Sequence, residues 1–204
     1  MTNLESSDQT PIVIARILTQ AFTGDPFFNW LFPDQQHQNK LQKWWAFLTH
    51  FGSTNPEWVL AVDEMQSSAS IWSKPKFNQV KTNEDSGEDD FRKLMETLVG
   101  NRLDSVFAVF QEVNSHIPDE PHWYLQAVGT RPEMQGRSKA SELLRPVLSN
   151  CDETGIGAYL ESTNPRNLSF YYRLGFTIRK ELLMDGGQAA LTCMWRPPQD
   201  PATS

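Results

Sequence analysis

Apolar residues recur at helical spacing early in the chain and in strand-like runs after it. The stripe from Pro11 to Phe22 predicts a helix, and Leu41 to Phe51 predicts a second one, because apolar residues three or four positions apart share one helix face. Short runs at Trp58–Val62 and Ala69–Ser73 predict two strands joined by a hairpin connection. The first third of the chain is therefore predicted as two helices followed by two strands.

An aromatic cluster, Phe27 to Phe32, follows the first helix, which Gly24-Asp25-Pro26 is predicted to end. We interpret this cluster first as core, because aromatic side chains bury large apolar areas, and second as the wall of a ligand site. The acidic run Glu84–Asp90 predicts a solvated loop that leads into a helix N-terminus.

Helices and strands alternate in the rest of the chain. Two helices are predicted at 89–99 and 104–114, and the apolar run His122–Val128 predicts a strand that is covered on both faces. The remaining pattern predicts a helix at 141–153, strands at 158–162, 177–183 and 190–195, and a short helix that Gly175 ends. This order predicts a mixed α/β (α+β) fold.

Length and composition restrict the class of protein. A chain of 204 residues with 39% apolar residues is typical of one domain. The net charge of −7 disfavours a nucleic-acid partner and suits a cationic substrate. Cys151 and Cys193 lack the spacing of metal ligands, so no metal is expected and both are predicted to be buried free thiols. No signal peptide or membrane-spanning run is recognised, and a soluble, cytoplasmic protein is expected.

A strand, a tight loop and a helix are predicted around residues 128–141. The loop holds small residues where the helix begins, and a helix start presents unpaired N–H groups and a positive partial charge. Arg137 and Lys139 add two cations. These features favour a phosphate-bearing cofactor, although neither nucleotide-binding glycine motif is present. An ordinary strand–helix turn is the alternative.

The stretch Gln135-Gly136-Arg137-Ser138-Lys139-Ala140 resembles motif A of the GNAT superfamily of acetyl-CoA-dependent N-acetyltransferases. A second stretch, Thr163–Phe176, reads N-x-x-N-x-x-F-Y-x-x-x-G-F and resembles motif B of the same family. Both occur in the family's order, and residues 122–197 are most similar to the puromycin N-acetyltransferase-like members. The sequence departs from motif A at Ser138, where the family usually has glycine.

The resemblance implies the GNAT fold, a bent and mostly antiparallel mixed sheet flanked by helices. Its single parallel pair of central strands would separate to admit acetyl-CoA. One domain over 1–204 is expected, with N-terminal helices and first strands at 10–75, a variable acceptor-side insertion at 76–120, and the cofactor-binding core at 122–197. The residues implied to bind the cofactor are Ala127, Val128, Thr130, Gln135, Gly136, Arg137, Ser138, Lys139, Ala140, Ser141, Asn164 and Asn167.

Catalysis requires a base for the acceptor amine and an acid for the leaving thiolate. Tyr171 has the position of the family's general acid, with a packed aromatic as the alternative. Glu161 is the candidate base and His122 the runner-up; a structural carboxylate is an equally open reading of Glu161. Tyr172 is predicted as the core residue of the tyrosine pair.

The expected reaction is direct transfer of an acetyl group to a primary amine of a small molecule in a ternary complex. A catalytically inactive CoA-binding sensor and a protein N-terminal acetyltransferase are the two alternatives. No nucleic-acid or membrane partner is expected, and the chain is expected to be a monomer or a homodimer.

Overall fold

The computed structural model describes residues 10–77, 85–184, 187 and 189–200. Its helices and strands follow one another in a mixed order. The helices are α1 (Thr10–Phe22), α2 (Pro26–Leu31), α3 (His37–Thr54), α4 (Asp85–Val99), α5 (Leu103–Asn114), α6 (Lys139–Thr154) and α7 (Leu168–Arg173). The strands are β1 (Trp58–Val62), β2 (Ser68–Ser73), β3 (His122–Thr130), β4 (Gly157–Ser162), β5 (Thr177–Met184) and β6 (Ala189–Arg196).

The described strands form one six-stranded sheet in the order β1-β2-β3-β4-β6-β5. Among the described pairs, β3 with β4 is parallel and the other four are antiparallel. This mixed, mostly antiparallel sheet with helices around it confirms the predicted fold class. The single parallel pair lies in the middle of the sheet, as the resemblance implies.

Two apolar clusters cover the two faces of the sheet. Neighbouring residues of β4 alternate between them, because side chains of a strand point to opposite faces in turn. Tyr159 packs with the cluster of α1 to α5, whereas Ala158 and Leu160 pack with the cluster of α6 and α7. The central strands therefore separate a larger helical layer from a smaller one.

Helix α2 differs from the prediction, which treated its residues only as an aromatic cluster. Asp25 caps the helix by accepting hydrogen bonds from the N–H groups of Phe27 (2.9 Å) and Phe28 (3.4 Å), and Pro26 occupies the first helical position. Six residues are too few for a helical period to be recognised, so the Gly24-Asp25-Pro26 break was correct while the new helix was missed.

Most of the other boundaries agree with the predicted ones. Strand β1 has the predicted bounds, α4 begins four residues earlier, at Asp85, and α6 begins at Lys139. The first residue of the predicted acidic loop, Glu84, lies outside the described residues. Cys151 and Cys193 are buried free thiols, as predicted. In the described part of the chain, no helix is both long and apolar enough to cross a membrane.

Candidate active site

The central parallel strands separate half-way along β3. Their paired residues run from His122 and Gly157 to Leu125 and Leu160, where the register ends. On its other side, β3 continues to pair with β2 as far as Thr130. Beyond Leu125, one edge of β3 therefore lacks a strand partner among the described residues, which is the separation that the resemblance implies.

A β-bulge in β3 lies at the point of separation. β2 pairs Trp72 with Leu125 and Ile71 with Ala127, which leaves Gln126 as the extra residue of β3. A bulge bends its strand and increases the local twist. The bend therefore occurs where β4 leaves β3.

A cavity of about 310 Å³ lies at this separation. It is bordered by residues 124–128 of β3, by the end of β4, and by aromatic residues of α1 to α5. Five of the predicted site residues line it, namely Ala127, Val128, Glu161, Asn167 and Tyr171. The structure thus brings the two predicted catalytic residues to one cavity.

Glu161 and Tyr171 reach this cavity from opposite faces of the sheet. Glu161 is two residues after Tyr159 on β4 and shares its face, which α1 to α5 cover. Tyr171 belongs to α7 and packs with Leu160 and Phe176 on the other face. Only where the strands separate can side chains of both layers line the same space.

One oxygen of the Glu161 carboxylate is hydrogen-bonded and the other has no partner among the described residues. Its Oε2 accepts a hydrogen bond of 2.6 Å from the Tyr124 hydroxyl, while Oε1 is buried without a partner among the described residues. Burial raises the pKa of Glu161 to about 7, although the nearby hydroxyls of Tyr124 and Tyr159 lower it in part. A carboxylate with this pKa can gain and lose a proton near neutral pH.

The phenol of Tyr171 is buried beside the cavity. The residue is only 7% exposed, and its hydroxyl has no hydrogen-bond partner within the described residues. Burial, followed by the nearby charge of Asp25, raises the pKa of Tyr171 well above its ordinary value. The hydroxyl therefore stays protonated at neutral pH.

Asp25 connects the aromatic layer to the end of β4. One of its oxygens caps α2, and the other accepts a hydrogen bond of 2.7 Å from the Thr163 hydroxyl. The carboxylate is 6% exposed, and its burial raises its pKa. The two partners are 138 residues apart in the chain, so this contact fixes α2 beside the strand that carries Glu161.

The loop before α6 has the conformation of an anion site. Gly136 (φ +75°) and Ser138 (φ +60°) both have left-handed backbone conformations. The N–H group of Glu142 donates the first backbone bond of the helix, to the Ser138 carbonyl (3.0 Å), so the N–H groups of 139–141 precede the helical ladder. No side chain caps this helix start. N–H groups in this position fit a pyrophosphate group.

Two other predicted cofactor residues shape the end of β3. The Thr130 hydroxyl is 2.7 Å from the Ser68 hydroxyl, and the Gln135 side-chain amide donates to the Thr130 carbonyl (3.2 Å). The side chains of Thr130 and Gln135 therefore fix the entry to the loop. Their backbone groups, rather than these side chains, remain the candidates for cofactor binding.

The two predicted cations of the loop differ in their surroundings. Arg137 is exposed, whereas the Lys139 ammonium forms an ion pair of 2.9 Å with Glu142 in the first turn of α6. Ala140 and Ser141 are half-buried in the same turn. Arg137 is thus the more available of the two cations for a phosphate.

The two asparagines of motif B are placed differently. The Asn164 side-chain oxygen accepts the N–H group of Arg166 (3.1 Å) and so caps the short turn before α7. Asn167 lines the cavity, whereas Asn164 is not among its lining residues. Asn167 is therefore the better placed of the two to contact a bound molecule.

One prediction, on Tyr172, needs correction, and the runner-up base lies away from the cavity. Tyr172 is 49% exposed and is not the core residue of the pair, because consecutive helical residues point about 100° apart and Tyr171 takes the inward position. The runner-up base, His122, lies at the paired end of β3 and does not line the cavity. One of its ring nitrogens is 2.7 Å from the Glu120 carbonyl, and burial lowers its pKa.

Sequence reasoning missed three residues that build the site, namely Tyr124, Asp25 and Thr163. In the parallel register, Tyr124 lies opposite Tyr159, two residues before Glu161. The alternation of β3 indicates its face but not its partner on β4. Asp25 had a local signal, because an acidic residue directly before proline is typical of a helix start.

Residues 89–176 match the family model described as the acetyltransferase (GNAT) family. An uncharacterised N-acetyltransferase of Schizosaccharomyces pombe is 31% identical over 83 residues, which are 40% of this chain and 34% of the yeast protein. The aligned part therefore spans about a third of that relative.

Solved structures extend the similarity to nearly the whole chain. A Corynebacterium glutamicum structure, described as histone acetyltransferase HPA2 and related acetyltransferase, has a TM-score of 0.65 at 21% identity and covers 98% of this chain and 97% of its own. Arylalkylamine N-acetyltransferase 2 of Aedes aegypti has a TM-score of 0.61 at 14% identity, with 95% and 97% covered. The fold is that of the GNAT acetyltransferases. The family model matches somewhat less than half of the chain, so the similarity to the GNAT acetyltransferase family lies in residues 89–176, and the similarity of fold extends over nearly the whole chain.

Proposed function

We propose that this protein is an acetyl-CoA-dependent N-acetyltransferase that acetylates a primary amine of a small molecule by direct attack. The observation that carries the proposal is the meeting of Glu161 and Tyr171 in one cavity at the separated strands. The match of residues 89–176 to the acetyltransferase family model supports an acyl transfer, and the acceptor class is argued from the cavity itself.

Glu161 acts as the base in this proposal. An amine is protonated at neutral pH and must lose a proton before it can attack a carbonyl carbon. The unpaired Oε1 accepts this proton, while the hydrogen bond from Tyr124 holds Oε2 in place. A pKa of about 7 lets a large fraction of the carboxylate be ionised at neutral pH.

Tyr171 acts as the acid. Its Oη holds a proton that it donates to a leaving thiolate, and its raised pKa keeps that proton in place until the transfer. The ordinary pKa of a thiol is below that of a phenol, so the donation requires that exclusion of water destabilises the leaving thiolate and raises the pKa of its thiol as well.

Acetyl-CoA, when bound, supplies the activated acetyl group. Its pyrophosphate would lie on the N–H groups of 136–141, and its pantetheine amides would pair with the free edge of β3 near Ala127, Val128 and Thr130. Asn167 and Arg137 are further candidates for contact, and Asn164 is a weaker one because its side-chain oxygen is already bonded. An extended chain added to an unpaired strand edge is a common mode of recognition.

A small-molecule acceptor is favoured over a protein N-terminus. A peptide needs an open channel with polar groups for its backbone, whereas the space beside Glu161 is a cavity walled by aromatic side chains. The similarity to puromycin N-acetyltransferase-like members is consistent with a small amine. It does not specify the acceptor, because specificity does not follow from fold.

One observation favours the alternative of a CoA-binding protein without turnover. Ser138 has a left-handed backbone conformation at a position where the family usually has glycine. A side chain there narrows the approach to the backbone amides. This alternative predicts CoA binding with no amine consumed.

The test is an assay of free thiol release from acetyl-CoA by the purified chain over a panel of primary amines, with the products identified by mass spectrometry. The proposal predicts one acetylated amine for each thiol released. Binding of CoA in calorimetry without an acetylated product from any amine would support the sensor instead. An acetylated peptide N-terminus without small-amine products would support a protein N-terminal acetyltransferase.

A further inference from the structure

An aromatic wall surrounds part of the cavity. It consists of seven Phe and Trp side chains from five helices, namely Phe22, Phe27, Phe28, Trp44, Trp45, Phe91 and Phe110. Helices α4 and α5, which follow the gap in the described residues, supply the last two. The segment that sequence analysis treated as acceptor-side thus contributes directly to the cavity.

The rings of this wall hold one another in place. Phe28 and Trp44 are in edge-to-face contact at 5.8 Å, as are Trp44 and Phe91 at 5.7 Å. Phe91 and Phe110 pack at 6.2 Å, with their planes tilted by 32°. Rings that are fixed before a ligand arrives lose little conformational entropy when it binds. The wall is therefore a preformed surface for an apolar group.

The cavity is lined by a carboxyl group that can carry a negative charge near neutral pH. Among the described residues that line it, Glu161 is the one ionisable group with a charge near neutral pH. The Tyr124 and Thr163 hydroxyls are already bonded to Glu161 and Asp25. One carboxylate can compensate one ammonium group, and a second cation here would be buried without a counter-charge.

Two buried N–H donors are a second mark of a ligand site. The indole nitrogens of Trp44 and Trp45 are buried and have no hydrogen-bond partner in the described part of the chain. Both residues line the cavity, and Trp45 is only 2% exposed. Buried polar groups in folded proteins ordinarily have a partner.

From this wall and its single carboxylate we infer that the acceptor is a primary monoamine with an aromatic or similarly bulky apolar body. The inference rests on the proposed function and specifies its substrate class. The ammonium group faces Glu161, and the body replaces water against the rings of α2 to α5. A diamine would bury a second cation, and an α-amino acid would bring its carboxylate towards Glu161.

Two matched pairs of amines test this inference with the wild-type chain. In the first pair, 2-phenylethylamine is compared with ethylamine, which lacks only the ring. We expect kcat/KM to be about 100-fold higher for the aromatic amine, since even one methylene in an apolar pocket changes selectivity about 10-fold or more. In the second pair, hexylamine is expected to exceed 1,6-diaminohexane by about 10-fold, because the diamine carries an uncompensated charge.

Two variants of α5 provide a matched test of the wall. Phe110 lines the cavity and Phe107, one turn earlier on the same helix, does not. Phe110→Ala is expected to raise KM for 2-phenylethylamine about 10-fold. Phe107→Ala is expected to raise KM clearly less, because Phe107 packs behind Phe110 (6.0 Å) without lining the cavity. If the alanine variant does not fold, Phe110→Leu replaces it, because leucine keeps most of the side-chain volume. A smaller rise in KM is expected for this variant. Melting curves verify folding.

The outcomes separate this inference from the proposed function. Equal kcat/KM values within either amine pair, or a wild-type KM in a folded Phe110 variant, overturn the inference while acetylation itself stands. Absence of turnover with every amine of the panel overturns both. Clear preference for the two monoamines, together with a KM effect that is larger in the Phe110 variant than in the Phe107 variant, supports the aromatic-monoamine acceptor.

Discussion

Tyr124 donates a hydrogen bond of 2.6 Å to Glu161 from the neighbouring parallel strand. The bond joins residues 37 positions apart, just beside the point where β3 and β4 separate. It occupies Oε2 and leaves Oε1 without a partner among the described residues. The proposed base thus has one oxygen for orientation and one for the proton that it removes.

Replacing Tyr124 by phenylalanine tests this orientation. The hydrogen bond lowers the pKa of Glu161, so Tyr124→Phe raises that pKa. The acidic limb of the profile of kcat against pH is expected to move to higher pH by about half to one unit. Near pH 9, kcat should recover most of its wild-type value. An equal loss at every pH would show that Tyr124 acts only through packing.

The neighbouring tyrosines of α7 allow a matched test of the proposed acid. Tyr171→Phe removes the buried hydroxyl and is expected to lower kcat about 100-fold, a typical loss for a general acid. Tyr172→Phe removes an exposed hydroxyl, one residue away, and should leave kcat unchanged. CoA affinity, measured by calorimetry, should be the same in both variants. Equal kcat values in the two would exclude Tyr171 as the acid.

The loop before α6 can be tested at its two left-handed residues. Ser138→Gly removes a side chain from a conformation that costs a non-glycine residue about 1 kcal/mol. It also opens the approach to the backbone amides, so we expect tighter CoA binding, by about fivefold. Calorimetry measures the dissociation constant. Weaker binding would instead indicate that the Ser138 hydroxyl donates to the cofactor.

Gly136→Ala is the converse change. An added Cβ at Gly136 meets no atom within 4 Å, so its cost is conformational and arises from the φ of +75°. We expect the free energy of unfolding to fall by about 1 kcal/mol, as measured in urea. A variant as stable as the wild type would mean that the loop has another conformation in solution.

Burial of Glu161 also predicts a dependence of stability on pH. Its pKa rises from 4.5 to about 7 on folding, so the folded state holds this proton more tightly. The resulting stability is fully present below pH 4.5 and is lost as the pH rises through 7. Glu161→Gln lacks this loss. When the pH is raised from 5 to 8, its free energy of unfolding should therefore gain on the order of 1–3 kcal/mol relative to that of the wild type. Urea unfolding at both pH values measures the difference in free energy of unfolding between the variant and the wild type. A difference that is independent of pH would contradict the raised pKa.

Local patterns were sufficient for the elements with a clear period or a cap. Strand β1 has its predicted bounds, and the helix that Gly175 ends was predicted from the motif alone. Helix α2 was missed because six residues show no period, although Asp25 and Pro26 signal its start. The start of α4 at Asp85 was predicted four residues too late, because Asp85, Ser86 and Gly87 are poor helix formers and show no apolar period.

The long-range contacts of the site could not be predicted from the sequence. The candidate roles of Glu161 and Tyr171 came from resemblance, but the partnership of Glu161 with Tyr124 depends on the register of β3 against β4. The contact between Asp25 and Thr163 depends on how α2 packs beside β4. Exposure of Tyr172 depends on which side of a short helix meets the sheet, and the pattern Phe170-Tyr171-Tyr172 offers two aromatic choices.

The most direct test of the central claim is the pH dependence of kcat for the wild type and for Glu161→Gln, at saturating acetyl-CoA and amine. With Glu161 as the base, the wild-type kcat rises with pH through a limb near 7, which is the pKa of this carboxyl group. The variant should bind CoA normally, lose about 100-fold in kcat and show no such limb. A limb near pH 7 that persists in Glu161→Gln, with little loss of kcat, would contradict the account.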